Sequence, residues 1–199
     1  MLGSLNTNIP RILVERFLGE EKLGYFGGIA YLMVAGNMFI SAVGQAGAPR
    51  LAKLYKNNNK NGFINLLLKL VFLGFALGIV GLLVSIVFGQ LILKLVYNEA
   101  FIDYHHILIL SMLASVFSYA NSFLGYGLTA MRLFKVQPYL GTVWVIISIV
   151  ASIILIPKWQ LIGAATVLII SSIVQFLTTL LVVNVNIKKV NIRTFEGRR

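Results

Sequence analysis

An all-α integral membrane bundle is the fold this sequence predicts, and three observations predict it. Hydrophobic residues make up 58% of the 199 and charged residues only 12%, well below the roughly one quarter charged that a soluble domain carries. The mean hydropathy is +0.88. The apolar residues gather into runs long enough to cross about 30 Å of hydrocarbon, which takes close to 20 helical residues, and most lysines and arginines fall between those runs.

Five full spans can be read in order, at about 23–48, 63–88, 107–130, 139–156 and 161–184. No Asp or Glu lies inside any of them. Pro10, Pro49, Pro138 and Pro157 are each expected at or just outside a helix border, where a fixed φ and a missing donor do least harm. Together the spans predict one transmembrane lobe over 1–187 and a basic tail over 188–199.

Lysine and arginine counts in alternate connections orient the lobe, because cytoplasmic loops are enriched in them. One set holds Arg50, Lys53, Lys56 and Lys60, then Arg132 and Lys135, then Lys188, Lys189, Arg193, Arg198 and Arg199. The other holds Arg11, Arg16 and Lys22, then Lys94, then Lys158, together with most of the acids. The first set and the C-terminus are therefore expected in the cytoplasm, and the loop over 11–22 outside.

That orientation raises a question about "MLGSLNTNIPR" at the start. Ten helical residues rise about 15 Å, half the hydrocarbon thickness, and would leave a charged amine near the midplane, an expensive location. The expectation is a partial N-terminal helix and a chain that is the C-terminal part of a longer transporter, whose N-terminal lobe would be a partner. The other reading is a genuine start lying on the outer surface. No signal-peptide order of basic, apolar and small residues is present in residues 1–22.

Polar residues inside the spans are candidates for a substrate path. Ser111, Ser115, Ser118, Ser122, Gly125 and Thr129 follow helical steps along one face; so do Asn37, Ser41, Gln45 and Ala48, and Ser171, Gln175 and Thr178. Gly74 and Gly78 form a small-xxx-small pair, a pattern that lets helix backbones meet closely in lipid. Packing explains the Gly and Ser positions. Asn37, Gln45, Asn121 and Gln175 are costlier, since an unpaired amide in hydrocarbon loses several kcal/mol, and they are expected to face protein or a wet cavity.

Several chemistries are excluded or weak. Net charge is +11, but the cations are split among connections rather than forming one face, which argues against nucleic acid. There is no cysteine, so neither disulfides nor thiolate sites exist. No phosphate-cradling Gly-rich loop followed by lysine occurs, no serine has a positioned histidine and acid, and no cofactor or enzymatic role is expected. "NEAFIDYHH" places Glu99, Asp103 and His106 at steps of four and three, a spacing that zinc would accept on a helix. The segment follows the amphipathic "GQLILKLVY", and a polar face meeting water at the membrane edge explains it without metal.

The stretch "SLNTNIPRILVERFLGEEKLGYFGGIAYLMVAGNMFISAVGQAGAPRLAKLY" resembles the middle of bacterial O-antigen flippases of the Wzx type. These form the polysaccharide-transporter branch of the multidrug/oligosaccharidyl-lipid/polysaccharide exporter superfamily. "SFLGYGLTAMRLFKVQP" and "LIGAATVLIISSIVQF" resemble the later helices of the same family. The resemblance implies two six-helix lobes, alternating access, and an undecaprenyl-diphosphate-linked oligosaccharide as cargo, flipped across the bacterial inner membrane for O-antigen or capsular polysaccharide synthesis. It makes glycan polymerase machinery a candidate partner beside the bilayer and the lipid-linked cargo. Arg11 in "NIPR", Arg50 in "APRLAK" and Arg132 in "TAMR" match positive positions of the family pattern. Arginine's paired donors suit a diphosphate, although each of the three also sits where an ordinary topology anchor would. Alternatives are a drug or cation exporter of the same superfamily, which the acid-free spans disfavour, a membrane glycan polymerase or ligase, which would need a long outer loop, and an inactive remnant.

Overall fold

The computed structural model describes residues 2–196, with side chains described for 8–187. The side chains of the basic tail expected over 188–199, and the amino group of Met1, lie outside what is described. The elements are α1 (Leu2–Leu18), α2 (Glu20–Lys56), α3 (Lys60–Val96), a short 3-10 helix (Glu99–Tyr104), α4 (His105–Ala130) and α5 (Val136–Glu196), with no strand among the described residues. The molecule is all-α, as its composition predicts.

Among the described residues four helices are long and apolar enough to cross a membrane, where the sequence predicts five spans. The difference lies in α5, which carries both of the last two expected spans. At Gln160 its backbone leaves helical geometry, with φ 49° and ψ −129°. The indole Nε1 of Trp144, before the break, donates to Thr178 Oγ1 beyond it at 2.9 Å. A Cβ on Gly163 would strike the backbone of Leu155 and Ile156. Contacts that pair 144 with 178 and 155 with 163 are those of two antiparallel limbs, so α5 is a helical hairpin folded at Gln160. Its glycine permits the tightest approach, next to the fold.

Three other boundaries differ from expectation. The segment 11–22 is not a loop, because α1 runs through Pro10 to Leu18 and only Gly19, at φ 87°, separates it from α2. Arg11 and Arg16 are therefore helical residues. Pro49 and Pro157 also lie within helices rather than at borders. Finally, α2 and α3 are 37 residues each, about 55 Å long at 1.5 Å per residue, and overrun the hydrocarbon. The connection between them shrinks to Asn57–Asn59. Hydropathy marks where a helix is in lipid, not where it stops, and a polar helix continues into water when its caps are good.

The caps at this end are good. Past Lys56, the Asn58 N–H donates to Tyr55 O and the Asn59 N–H to Leu54 O, with Asn58 at φ 52°. This is the double hydrogen bond of a Schellman ending, which favours Gly or Asn at its left-handed position. The Asn59 side chain then accepts from Gly62 N at 2.9 Å and caps α3. The end of α4 repeats the device, with Arg132 N–H donating to Thr129 O, Leu133 N–H to Leu128 O, and Arg132 itself at φ 58°.

Contacts fix the packing register. Tyr119 Oη donates to Met33 O at 2.8 Å and Tyr126 Oη to Ser41 O at 3.2 Å, so α2 and α4 run parallel. Gly74 lies against Ala120, Gly78 against Val116 and Gly89 against His105, so α3 and α4 run antiparallel. α4 is the axis of the bundle, packed by α2, α3 and α5. Two apolar clusters stack along it. One joins Val14, Phe26, Ile29, Leu93, Ile107, Leu108, Ile156 and Leu168; the other joins Ile40, Leu51, Phe63, Leu67, Phe123, Leu128 and Val183. The outer surface is apolar too: Leu68, Phe72, Val80, Leu83, Val87, Leu91 and Leu95 line an exposed face of α3. A surface of this kind over such a length is built for lipid.

Candidate functional site

Between the two apolar clusters, at mid-height of the bundle, the polar side chains of three helices meet. Ser122 Oγ on α4 donates to Asn37 Oδ1 on α2 at 3.3 Å. One residue away, Asn121 Nδ2 donates to Gln175 Oε1 on the second limb of α5 at 3.4 Å. Three of the four amides expected to avoid lipid, Asn37, Asn121 and Gln175, thus form one seam across α2, α4 and α5. Its periodicity explains the stripe along α4. Ser111 and Ser115 at one end of that stripe are buried in helix packing, while Ser122 joins the seam and Gly125 lines a cavity beside it.

On α2 the seam continues outward. A groove of about 370 Å³ is lined by Asn37, Ser41 and Gln45 with Val34, Met38 and Ala42. Gln45 is exposed on it, two turns from Asn37. On the other side, a cavity of about 410 Å³ opens between α4 and the two limbs of α5, lined among others by Asn121, Ser122, Gln137, Trp144 and Thr179.

The end of the bundle below this cavity is basic. Lys53 and Lys56 from the last turns of α2 and Arg132 from the end of α4 line a hollow of about 500 Å³ with Tyr55 and Asn58. Arg50 is exposed one turn earlier on α2 and does not line that hollow. The sequence reading singled out Arg50 and Arg132; Lys53 and Lys56 complete the group, and their spacing of three on α2 was the available signal.

Arg11 sits apart from both features. Its Nη2 donates to Gly27 O at 3.5 Å, its guanidinium carbon lies 4.7 Å from the Tyr31 ring centroid, and its Nε is buried with no partner among the described residues. Residues 11 and 27 are equidistant from Gly19, so the contact ties α1 to α2 as a hairpin. Its partners are structural ones.

The opposite end is aromatic. Tyr25 stacks on Tyr104 and Tyr97 on Phe101, each pair at 4.4 Å between centroids. Tyr97 Oη donates to Gly28 O at 2.6 Å, and burial pushes its phenol above the ordinary value. The suggested zinc spacing dissolves here. Residues 99–104 form a 3-10 helix, three residues per turn, so Glu99 and Asp103 do not share a face. No group of three metal-ligating side chains is assembled among the described residues. Glu99 instead meets Lys94 at 2.6 Å in an exposed pair, and His105 Nε2 lies 2.8 Å from Ser85 O.

This arrangement, a helical bundle whose spans carry no acid, with a lipid-facing exterior, an amide seam at mid-height and a cationic end, is that of a multi-pass membrane protein. Comparison with known proteins agrees. The chain is 34% identical over 177 residues to the capsular polysaccharide biosynthesis protein CapF of Staphylococcus aureus, a match covering 89% of this chain and 45% of that protein. Its fold matches a multidrug resistance transporter of the MATE family, of the MOP superfamily, solved in an outward-facing conformation. That match has a TM-score of 0.69 at 14% identity and covers 94% of this chain and 43% of the other. No protein-family profile matches the chain. The chain spans about half the length of the relatives it matches.

Proposed function

We propose that this chain forms one lobe of a flippase that moves polyprenyl-diphosphate-linked oligosaccharide repeat units across the bacterial cytoplasmic membrane, for O-antigen or capsular polysaccharide synthesis. The basic end would face the cytoplasm. The observation that carries the reading is the pairing of two chemistries on one lobe. A hollow lined by Lys53, Lys56 and Arg132 suits a diphosphate, and an uncharged amide seam at mid-height suits a neutral glycan. A drug cation would find carboxylates more useful, and the seam offers none. The likeness to a capsular polysaccharide biosynthesis protein supports the cargo class.

In this reading the cationic hollow loads the diphosphate from the inner leaflet, where arginine and lysine give charge-assisted hydrogen bonds to phosphate oxygens. The glycan is drawn along the seam formed by Asn37, Ser122, Asn121 and Gln175. Its hydroxyls replace water against amides that hydrocarbon would leave unpaired. Rocking against a second lobe then exposes the seam to the outer side. The protein acts as a carrier, and no bond in the cargo is made or broken.

Deleting the gene in its host tests this. The expected result is loss of surface polysaccharide with build-up of lipid-linked repeat units in the inner leaflet. Unchanged polysaccharide together with raised sensitivity to cationic drugs would overturn the proposal in favour of an exporter.

A further inference from the structure

We propose that Lys69, with Asn65 one turn before it on α3, holds the headgroup of an anionic phospholipid in the leaflet at the cationic end of the lobe. The occupant is a lipid of the bilayer and not the cargo, and the inference needs only that the protein spans a membrane.

Three observations carry it. The first is position. Lys69 is exposed and lies on the lipid-facing side of α3, flanked by Leu68 and Phe72, which are 58% and 75% exposed. Its neighbours fix its depth. Leu67 lies against Gly127 of α4 and Leu70 against Gly47 of α2, so Lys69 sits inside the level of Arg132 at the end of α4. An ammonium beside apolar surface at that depth extends along its own methylenes toward the headgroups, where a lipid phosphate is within reach. Asn65 is also exposed, one turn nearer the water, and offers an amide to the same headgroup.

The second is an asymmetry along α3. Lys69 and Lys94 are 25 residues apart, close to seven turns, so they stand on one line of the helix about 37 Å from each other. Val80 and Val87 are exposed between them. The separation exceeds the roughly 30 Å of hydrocarbon, which puts one lysine at each border. Lys94 is neutralised by its own chain, through Glu99 at 2.6 Å. Lys69 has no ion pair among the described residues, so its counter-ion comes from outside the chain.

The third is the charge of the surroundings. No Asp or Glu occurs between Glu21 and Glu99 or between Asp103 and Glu196. Among the described residues, the end that carries Lys53, Lys56, Lys60 and Arg132 therefore has cations and no carboxylate. A zwitterionic headgroup would bring an ammonium that finds no acid there and meets like charge. An anionic headgroup brings net negative charge, which basic residues at a membrane surface attract. Phosphatidylglycerol adds headgroup hydroxyls that can donate to Asn65 Oδ1, and the exposed ring of Phe72 gives its acyl chains apolar surface.

The test is the melting temperature of the full chain in detergent, titrated with phosphatidylglycerol or with phosphatidylcholine. A saturable rise is expected with the first lipid and none with the second. Lys69→Gln should weaken the apparent affinity for phosphatidylglycerol about fivefold, the share of one basic residue at an anionic surface. Its melting temperature without added lipid should be unchanged, because the side chain is exposed. Lys69→Arg should keep the affinity, and so should Lys94→Gln, since Lys94 is already paired. The same rise with both lipids, equal losses in Lys69→Gln and Lys94→Gln, or a phosphatidylglycerol affinity that Lys69→Gln leaves intact would overturn the assignment. So would a rise reproduced by inorganic phosphate, which would make the site one for a soluble anion. Failure here leaves the flippase reading standing, and a failed gene-deletion test leaves this site standing.

Discussion

At Gly78 the helices α3 and α4 are as close as backbones allow. A Cβ there would lie 2.5 Å from Val116 Cα, and one at Gly74 would lie 2.9 Å from Ala120 Cα and N. Both obstacles are backbone, so a methyl group cannot be accommodated by rotating a side chain. Gly81, one turn on, would place its Cβ 3.8 Å from Met112 Sδ, an ordinary contact. Gly78→Ala is therefore expected to destabilise the protein by about 1–3 kcal/mol, the usual cost of overpacking. Gly81→Ala should be neutral or stabilising by up to about 1 kcal/mol through helix propensity. Thermal unfolding of the two variants in detergent checks this, and equal melting temperatures would show that the close approach is not real. The small-xxx-small pair was legible in the sequence because lipid removes the hydrophobic drive and leaves backbone approach to hold helices together. The unpaired Oδ1 of Asn121 was not legible, since it depends on which way one amide turns between two neighbours 54 residues apart.

At the scale of the element, the informative residue is Arg132. It occupies the left-handed position of a Schellman ending, where an L side chain is strained and glycine is not. In the proposed reading an arginine at such a position, lining a hollow with Lys53 and Lys56, would have a chemical use that offsets its backbone cost. Arg132→Gly separates the two roles. It should hold or raise stability by about 0.5–1 kcal/mol and at the same time reduce surface polysaccharide. Arg132→Lys should retain much of the output. If Arg132→Gly left polysaccharide at its normal level with normal expression, the arginine would be only a topology anchor. Span cores were readable from hydropathy, but helix ends were not. The sequence reading stopped α2 near Ala48 because lipid ends there, whereas the helix continues to Lys56, and Pro49 within it does not end it. Nor did apolar patterning reveal that the fold in α5 falls at Gln160. Its φ of 49° is a geometry ordinarily supplied by glycine, and the flanking "PKWQLIG" carries its nearest glycine three residues later.

For the whole molecule, charge is what supports the proposed orientation. The end carrying Asn58 and Arg132 has most of the lysines and arginines of the described connections, and the end carrying Tyr25, Asn98 and Tyr104 has the stacked aromatics and most of the acids. On the positive-inside rule we propose that the first end faces the cytoplasm. The chain contains no cysteine, so a single introduced thiol is a clean reporter. Asn98→Cys should react with an impermeant maleimide in intact spheroplasts, and Asn58→Cys only after the membrane is opened. The reverse pattern would invert the lobe and put the cationic hollow on the wrong side for loading.

The central claim, that the protein carries lipid-linked glycan from the inner to the outer leaflet, is tested most directly by the accessibility of that glycan. Spheroplasts that accumulate the lipid-linked repeat unit, with and without the protein, would be exposed to an impermeant lectin specific for the repeat. The account predicts that the lectin reaches the glycan only when the protein is present, and reaches less of it with Arg132→Gly. Equal lectin binding with and without the protein would contradict it.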